Sequence, residues 1–330
     1  MKSALLSRNV IGVFTVTFVL FIASGLIEPA LLGASSVRTV LLLSSFVVLA
    51  SFGQGIVILS GGLDLSIGSV ITLGGVLLGT WVPQSDAHLE VAVPAILAIG
   101  CCVGILNGIG VAILRIPAFV MTLAMGIIIE SLVLALTQGA PAANSAPGLI
   151  AALSDQYIFK IPLLVWSMVL FIILAAAIQD ISAFGREIHA LGSNPKAARI
   201  AGLHSNRLLI SCYALSGISS ALCGIVLLGF VGAPTLSMGT SYTIESVAAV
   251  VVGGASILGG SGYFLGTVSG ALFLGILSND MTALGMSAGW RTLIEGSIII
   301  TALFVFSKIQ TVNLLRRQIY DRLKKQSISE

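Results

Sequence analysis

SAFGREIHALGSNPKAARIAGLHSNR, residues 182–207, is the longest polar stretch of a chain that otherwise consists of long apolar blocks. We call this stretch the island. It carries four basic residues against a single acid, Glu187. In a membrane protein, an excess of Lys and Arg in a short loop marks the cytoplasmic side of the bilayer. The pattern of the island predicts one or two short helices, interrupted at Gly192 and Gly202.

The composition of the whole chain assigns it to a class. Its 330 residues have a mean hydropathy of +1.09 and only 9% of them are charged, whereas a soluble domain has about 25%. A water-soluble fold could not bury so much apolar surface. We therefore predict an all-α, polytopic membrane protein with one transmembrane domain over residues 1–330. The basic residues lie mainly in the island and at the chain ends, which indicates an orientation in the membrane and argues against nucleic-acid binding.

The apolar blocks give the number of spans. A membrane-spanning helix needs about 20 mostly apolar residues, and the blocks predict about ten spans, three of them short and rich in glycine. Short segments of this kind are typical of broken or half-helices, which a membrane tolerates where protein or a cavity covers them. The predicted spans cover residues 10–27, 40–59, 70–82, 91–114, 118–137, 161–178, 208–231, 246–258, 263–278 and 290–306.

The distribution of basic residues orients these spans. With both termini in the cytoplasm, all but three of the 16 basic residues face the cytoplasm, the exceptions being Arg38, Lys160 and Arg291. Residues 307–330 form a basic tail that is predicted to lie at the inner membrane surface. The first apolar run has 18 residues, which is long for a signal peptide and favours an uncleaved first span.

Cysteine and glycine report on packing. The four cysteines all fall within apolar spans, which predicts side-chain packing and neither a disulfide framework nor a metal site. Glycines at four-residue spacing, in residues 100–108 and 266–270, let helix backbones approach closely. The cysteines are Cys101, Cys102, Cys212 and Cys223.

The polar residues between the second and third predicted spans form the first candidate site. Paired glycines at residues 61–62 interrupt the helix, and Asp64 and Ser66 follow them. An acid within the membrane is costly and is a candidate for function in a solute path. The alternative is that Asp64 caps the next helix by accepting hydrogen bonds from free backbone N–H groups.

Three further polar residues are candidates for the solute path. Asn107 lies about two turns before a tight turn at Arg115, inside the bilayer, where its amide needs a partner. A helix–helix hydrogen bond and a contact in the path are both open for it. Glu245 precedes, and Asn279 follows, a glycine-rich stretch at residues 252–267 that is typical of a broken helix lining a cavity.

No residue pattern predicts catalysis in this chain. Residues 59–62, LSGG, imitate the signature of an ATP-binding cassette ATPase, but no G-x-x-x-x-G-K-[ST] loop accompanies them to hold phosphates. No nucleophile–base pair or metal cluster has a suitable spacing. We therefore predict a transport subunit that is not an enzyme and has neither a bound metal nor a cofactor of its own.

Four segments together carry a family resemblance. They are GGLDLSIGS at 61–69, NGIGVAILRIPAFVMTL at 107–123, FGREIHALGSNPKAARIAGL at 184–203 and VVGGASILGGSGYFLGT at 251–267. In this order they resemble permease subunits of bacterial ABC importers of the ribose, galactose and xylose type, which share a superfamily with branched-chain amino-acid permeases. The resemblance implies a multi-pass protein of the bacterial cytoplasmic membrane.

The resemblance also implies partners. They are a second permease copy or a sister permease, cytoplasmic ATPase subunits that bind ATP and Mg, and a periplasmic or extracellular substrate-binding protein. It implies that the island is the cytoplasmic coupling loop that meets the ATPase. The implied coupling residues are Gly185, Arg186, Gly192, Asn194, Ala197, Ala198 and Gly202.

Several charged residues depart from the family pattern. Glu130 stands where the family commonly has Arg, Asp280 where it has Gly, and Glu295 where Lys is frequent. If these residues line the path, the solute differs from an ordinary neutral pentose or hexose. Alternatively, Arg291 and Glu295, four residues apart on one helix, form an ion pair.

The resulting prediction is a permease subunit that imports a monosaccharide or sugar-like solute with energy from ATP hydrolysed by its partners. Within that class, an amino acid or a signalling furanose derivative is the alternative solute. An ion-driven secondary transporter is a further alternative, in which Asp64 and Glu130 would coordinate the ion. A membrane-embedded enzyme is the least supported, because no catalytic constellation is present in the sequence.

Overall fold

A computed structural model describes residues 8–82, 86–140, 146–287, 289–294, 296–298, 300–301 and 304 of the chain. The prediction of an all-α membrane fold is confirmed, apart from one two-stranded hairpin. Within the described residues, 7 helices are long and apolar enough to cross a membrane. They are α1 (Arg8–Ile27), α2 (Ala34–Leu59), α4 (Leu89–Ala112), α5 (Ala118–Leu136), α7 (Leu163–Ala176, continued by a π-helical turn Ala177–Ile181), α10 (Ser205–Val231) and α12 (Phe264–Ala283).

Shorter elements complete the described chain. Two apolar helices, α3 (Ile67–Trp81) and α11 (Thr240–Val252), take the place of two predicted short spans. The predicted span 290–306 lies only partly within the described residues, and the tail 307–330 lies outside them. The shorter elements are α3 (Ile67–Trp81), α6 (Gly148–Asp155), α8 (Ala183–Ser193), α9 (Pro195–Ile200), α11 (Thr240–Val252), a 3₁₀ turn (Pro29–Leu32) and the antiparallel strands β1 (Tyr157–Ile158) and β2 (Ile161–Pro162).

The prediction for one short span was wrong in its bounds. Residues 246–258 were expected to form it, but α11 covers Thr240–Val252. The helix ends at Gly253, and the following loop contains Gly254, Gly259 and Gly260, all with positive φ. Glycine adopts this left-handed conformation without steric cost, so the glycine-rich sequence forms a loop instead of the end of a helix.

Helices α2 and α10 form the centre of the molecule. Of the most apolar stretch of each helix, 89% is buried in α2 and 67% is buried in α10. The corresponding share is only 22–28% for α1, α4, α5 and α7. These outer helices expose large apolar side chains, such as Phe18, Leu106 and Ile128, as expected for surfaces that face lipid or a membrane partner.

The predicted glycine stripes pack helices closely, and this prediction is confirmed. A β-carbon at Gly104 of α4 would collide with the backbone carbonyl of Tyr213 in α10, and one at Gly100 would lie 2.5 Å from the carbonyl oxygen of Gly217. In the same way, Gly270 of α12 faces the carbonyl of Ala249 in α11. Because lipid tails are as apolar as the helices, such close van der Waals contact holds the spans together.

The loops separate into two ends of the molecule. At one end, the N–H of Gly260 donates to the carbonyl oxygen of Leu59, and both residues adjoin the island. Arg115 lines a cavity with island residues at this end. At the other end, the N–H of Leu149 donates to the Asp86 carboxylate at 2.7 Å. The described loops that contact the island and the loop that contains Asp86 therefore lie at opposite ends of the molecule.

The four cysteines are free thiols. Cys212 and Cys223 are buried in α10, which confirms packing for these two. Cys102 is exposed and Cys101 is half-buried. The packing prediction is therefore wrong for Cys102, because α4 turns that side chain away from the core.

Candidate functional site

The island forms two short helices, where one or two were predicted, but the break between them lies at a different residue. Gly192 is inside α8, and the chain breaks at Asn194. The Oδ1 atom of Asn194 accepts hydrogen bonds from the N–H groups of Lys196 (3.1 Å) and Ala197 (3.0 Å). Pro195 follows at the first helical position, where its missing N–H costs nothing. Gly202, with φ +86°, follows α9.

The first helix of the island is fixed to the end of α7. A β-carbon at Gly185 would collide with the carbonyl oxygen of Gln179, which belongs to the π-helical turn. The Oγ of Ser182 accepts a hydrogen bond of 3.1 Å from the Gly185 N–H and so caps α8. The Arg186 guanidinium donates to the Ile181 carbonyl oxygen at 2.7 Å. Turns of the π type are frequently found at functional positions.

The second attachment of the island is at Gly192. A β-carbon there would collide with the Leu59 carbonyl oxygen at the end of α2. The neighbouring Ser193 Oγ donates to the carbonyl oxygen of Gly260 at 3.2 Å, and His189 Nδ1 lies 3.2 Å from the same oxygen. One segment of the island therefore contacts both α2 and the loop between α11 and α12.

The predicted coupling residues differ in accessibility. Gly185 and Ala198 are buried, and Gly192 is half-buried. The others are exposed at the surface of the island: Arg186, Asn194, Ala197 and Gly202.

Three of the five candidate path residues form one buried network. Asp64 is 2% exposed, Ser66 is 1% exposed and Asn107 is fully buried. Asp64 Oδ1 accepts from the N–H of Ser66 at 2.9 Å and from its hydroxyl at 2.6 Å. Asp64 Oδ2 accepts from the Ser216 hydroxyl at 2.7 Å. Asn107 Nδ2 donates to Ser66 Oγ at 2.9 Å. The carboxylate thus supports the loop before α3 by bonding Ser66, the residue that precedes the helix. It does not accept from the N–H groups of the paired glycines at residues 61–62, as the capping alternative expected, because these donate to carbonyl oxygens at the end of α2.

Two members of this arrangement were missed in the sequence. Ser216 lies in a serine-rich part of α10, where nothing in the spacing links it to Asp64. Thr122 of α5 accepts from the Leu65 N–H at 3.0 Å and donates to the Leu63 carbonyl oxygen at 3.2 Å. Thr122 and Asn107 both belong to the motif at residues 107–123. This shared motif was the sequence feature that could have indicated Thr122.

Glu245 and Asn279 lie apart from this network. Glu245 lines a cavity of about 250 Å³ between α2, α11 and α12, whose other polar lining includes Tyr242 and Ser278. Asn279 donates from Nδ2 to the Ser36 hydroxyl at 2.9 Å and so connects α12 to α2. The five candidates therefore do not form a single site.

The charged residues that depart from the family pattern have separate surroundings. Glu130 is exposed near the middle of α5 and accepts a hydrogen bond of 3.1 Å from the Ser69 hydroxyl. Asp280 accepts from the Ser24 hydroxyl of α1. Arg291 donates to Thr282 Oγ1 at 2.6 Å. Glu295, its proposed ion-pair partner, lies outside the described residues. Across the described chain, no three His, Cys, Asp or Glu side chains group so that they could hold a metal ion.

Comparison with known proteins gives similarity over most of the chain. The ribose import permease protein RbsC of Escherichia coli strain K12 is 31% identical over 287 residues, which is 86% of this chain and 89% of the relative. The fructose import permease protein FrcC of Rhizobium meliloti is 34% identical over 267 residues, 78% of this chain and 74% of the relative. The autoinducer 2 import system permease protein LsrC of Escherichia coli strain SMS-3-5 is 30% identical over 305 residues, 92% of this chain and 89% of the relative.

The family comparison agrees with these relatives. Residues 36–303 match the family described as branched-chain amino acid transport system / permease component. No solved structure matches the chain. The resemblance to permease subunits of ABC importers is confirmed, as is the prediction of a multi-pass protein of the bacterial inner membrane. The chain belongs to the family of branched-chain amino acid transport system permease components.

Proposed function

We propose that this permease imports a monosaccharide or a closely related polyhydroxylated solute. The observation that carries the proposal is the identity of 30% or more, over most of the chain, to permeases named for ribose, fructose and autoinducer 2. In such a system the binding protein selects the solute, and the permease needs only a weak cavity. The scattered polar residues of this chain, among them Glu245 and Asn279, fit a weak cavity better than a dense binding site.

The energy for import comes from ATP hydrolysed by cytoplasmic ATPase subunits, which also bind the Mg. A substrate-binding protein delivers the solute at the opposite face. Family membership implies both kinds of partner. We propose that the island is the coupling loop that meets the ATPase. In support, Arg186, Asn194 and Ala197 are exposed there, while Gly192 holds the same segment against α2.

The solute path is completed by a second permease chain, either another copy or a sister. The exposed face of α5 supports this proposal, because a carboxylate lies in the middle of it. An unpaired acid at the centre of a membrane costs about 3 kcal/mol, and such residues almost always face protein or a water-filled cavity. We assign Glu130 to the wall of the path, and Asp64, Ser66 and Asn107 to the support behind it. The residues on this face, three or four apart in sequence, are Leu123, Ile127, Glu130 and Leu134.

An ion-driven transporter is less well supported. It would require accessible carboxylates that exchange an ion with solvent. Asp64 is 2% exposed, and both of its oxygens already accept hydrogen bonds from protein groups. Such an acid has little free capacity to coordinate an ion.

The test is uptake by proteoliposomes that contain the permease, its ATPase and its binding protein. Labelled ribose, fructose and autoinducer 2 are compared with a branched-chain amino acid. We expect uptake of at least one of the first three with ATP, and none with a non-hydrolysable analogue. Uptake that persists without the ATPase, or uptake of the amino acid alone, contradicts the proposal.

A further inference from the structure

The end of the molecule that carries the island contains an open cavity of about 640 Å³. Its walls come from the turn after α4, from α9 and from the start of α10. Three arginines line it: Arg115, Arg199 and Arg207. His204 also lines it, and none of its lining residues in the described chain is acidic. The site is therefore strongly electropositive.

The start of α10 adds further hydrogen-bond donors to this cavity. The first N–H groups of any helix have no partner within the helix, and the helix dipole favours negative charge there. His204 occupies the capping position of α10 but makes no side-chain hydrogen bond to it. Ser205, the first residue of this 27-residue helix, lines the cavity.

The hydroxyl of Ser205 gives an independent indication of a ligand. Ser205 is only 7% exposed, and its Oγ has no hydrogen-bond partner among the described residues. A buried hydroxyl without a partner is costly. An anion in the cavity would accept a hydrogen bond from this hydroxyl while its charge is matched by the arginines.

The apolar part of the lining identifies the source of the anion. Val111 and Ile113 at the end of α4, and Leu209 of α10, form an aliphatic wall beside the arginines. Ile113 is 55% exposed and its neighbour Leu114 is 65% exposed, so this wall continues onto the surface just beyond the end of α4, a helix long enough to span the membrane. A free phosphate would contact only the arginines. A phospholipid would contact both the arginines and the aliphatic wall, with its phosphate at the arginines and its acyl chains along Ile113 and Leu114.

We propose that this cavity binds the phosphodiester headgroup of an anionic phospholipid of the surrounding membrane. Basic pockets between helices at the cytoplasmic side of a membrane are suited to such headgroups. The proposal requires the membrane location of the chain but neither a particular solute nor the coupling role of the island, so its test is independent of transport.

The test measures binding of short-chain lipids to the purified permease in detergent by native mass spectrometry. The probes are dioctanoyl phosphatidylglycerol, dioctanoyl phosphatidylcholine and inorganic phosphate. We expect selective binding of phosphatidylglycerol. The double variant Arg115→Gln/Arg207→Gln should weaken it about 25-fold, since each basic residue contributes roughly fivefold. Ser205→Ala should weaken it about tenfold or more through loss of one hydrogen bond to a charged group.

Lys196→Gln is the matched control, because Lys196 is an exposed cation of α9 that does not line the cavity. Its affinity for phosphatidylglycerol should equal that of the unaltered protein. The thermal unfolding midpoint of each variant shows whether it is folded. Equal binding of the two lipids, equal affinity in the folded double variant, or inorganic phosphate binding as tightly as the lipid each overturns the proposal.

Discussion

The backbone N–H of Gly260 donates a hydrogen bond of 2.9 Å to the carbonyl oxygen of Leu59, and Gly192 of the island lies against both residues. This contact joins the end of the central helix α2 to the loop between α11 and α12. Because the island is packed onto the joint, a displacement of α8 acts at once on the end of α2 and on the loop between α11 and α12. The joint therefore offers a direct route from the island to the membrane part.

Gly192→Ala should disturb this joint. The added methyl group would meet the Leu59 carbonyl and would lie 2.5 Å from the Gly260 nitrogen. Overpacking of this kind costs about 1–3 kcal/mol, which should lower the midpoint of thermal unfolding of the purified permease. Gly12→Ala is the control, since nothing lies within 4 Å of its β-carbon position. Equal midpoints for the two variants would show that α8 can shift freely.

Asp64→Asn should reduce the amount of folded protein. The carboxylate accepts three hydrogen bonds from Ser66 and Ser216, and an amide nitrogen would face one of these donors. Loss of a buried, charge-assisted hydrogen bond costs about 3 kcal/mol. The measurement is the monodisperse fraction in detergent together with the unfolding midpoint.

The control for Asp64 is Asp86→Asn, in an exposed loop where the carboxylate accepts from Leu149 and water can replace the bond. Its effect should be within about 0.5 kcal/mol. If Asp64→Asn instead folds normally and alters only transport, Asp64 belongs to the solute path and not to its support.

Arg186→Glu should abolish co-purification of the ATPase and leave membrane insertion intact. The side chain is exposed, and its hydrogen bond to the Ile181 carbonyl lies at the surface of the island. Arg38→Glu is the control, because Arg38 also bonds a nearby backbone carbonyl but lies at the other end of the molecule, beside Tyr157. Undiminished co-purification with Arg186→Glu would contradict the coupling role of the island.

Glu130→Gln should lower the specificity constant for uptake about tenfold with little effect on folding. The Ser69 hydroxyl can still donate to the amide oxygen, so the local packing is kept. The hydroxyls of a sugar lose a charged acceptor, and charge-assisted hydrogen bonds are roughly twice as strong as neutral ones. A tenfold change corresponds to about 1.4 kcal/mol. Initial uptake rates in proteoliposomes measure it.

Glu90→Gln provides the comparison, as Glu90 is exposed in the first turn of α4. It should transport at the unaltered rate. Equal rates for Glu130→Gln and Glu90→Gln would remove Glu130 from the wall of the path.

Local sequence patterns predicted the features that depend on backbone conformation and on close contact between backbones. The four-residue glycine spacing correctly predicted a close helix contact, because only the absence of a side chain permits such an approach. That the partner of α4 is α10 came from the structure. The two helices of the island followed from its polar pattern, although their break lies at Asn194, which caps α9, and not at Gly192.

Contacts between distant segments could not be predicted in the same way. The bond between Ser216 and Asp64 joins residues 152 positions apart, and an isolated serine in an apolar helix gives no indication of its partner. Likewise, the exposure of Glu130 depends on which face of α5 packs on α3. In a helix whose apolar residues surround it on all sides, hydrophobic periodicity does not reveal that face.

The π-helical turn at Ala177–Ile181 accommodates more residues than an α-helical turn of the same rise. Deleting one residue there would restore regular winding and rotate all that follows by about 100°, given 3.6 residues per turn. Gly185 would then leave the Gln179 carbonyl, and Gly192 would leave Leu59. The angular setting of α8 thus depends on one surplus residue in α7, so a change of length at this point should be more disruptive than any single substitution nearby.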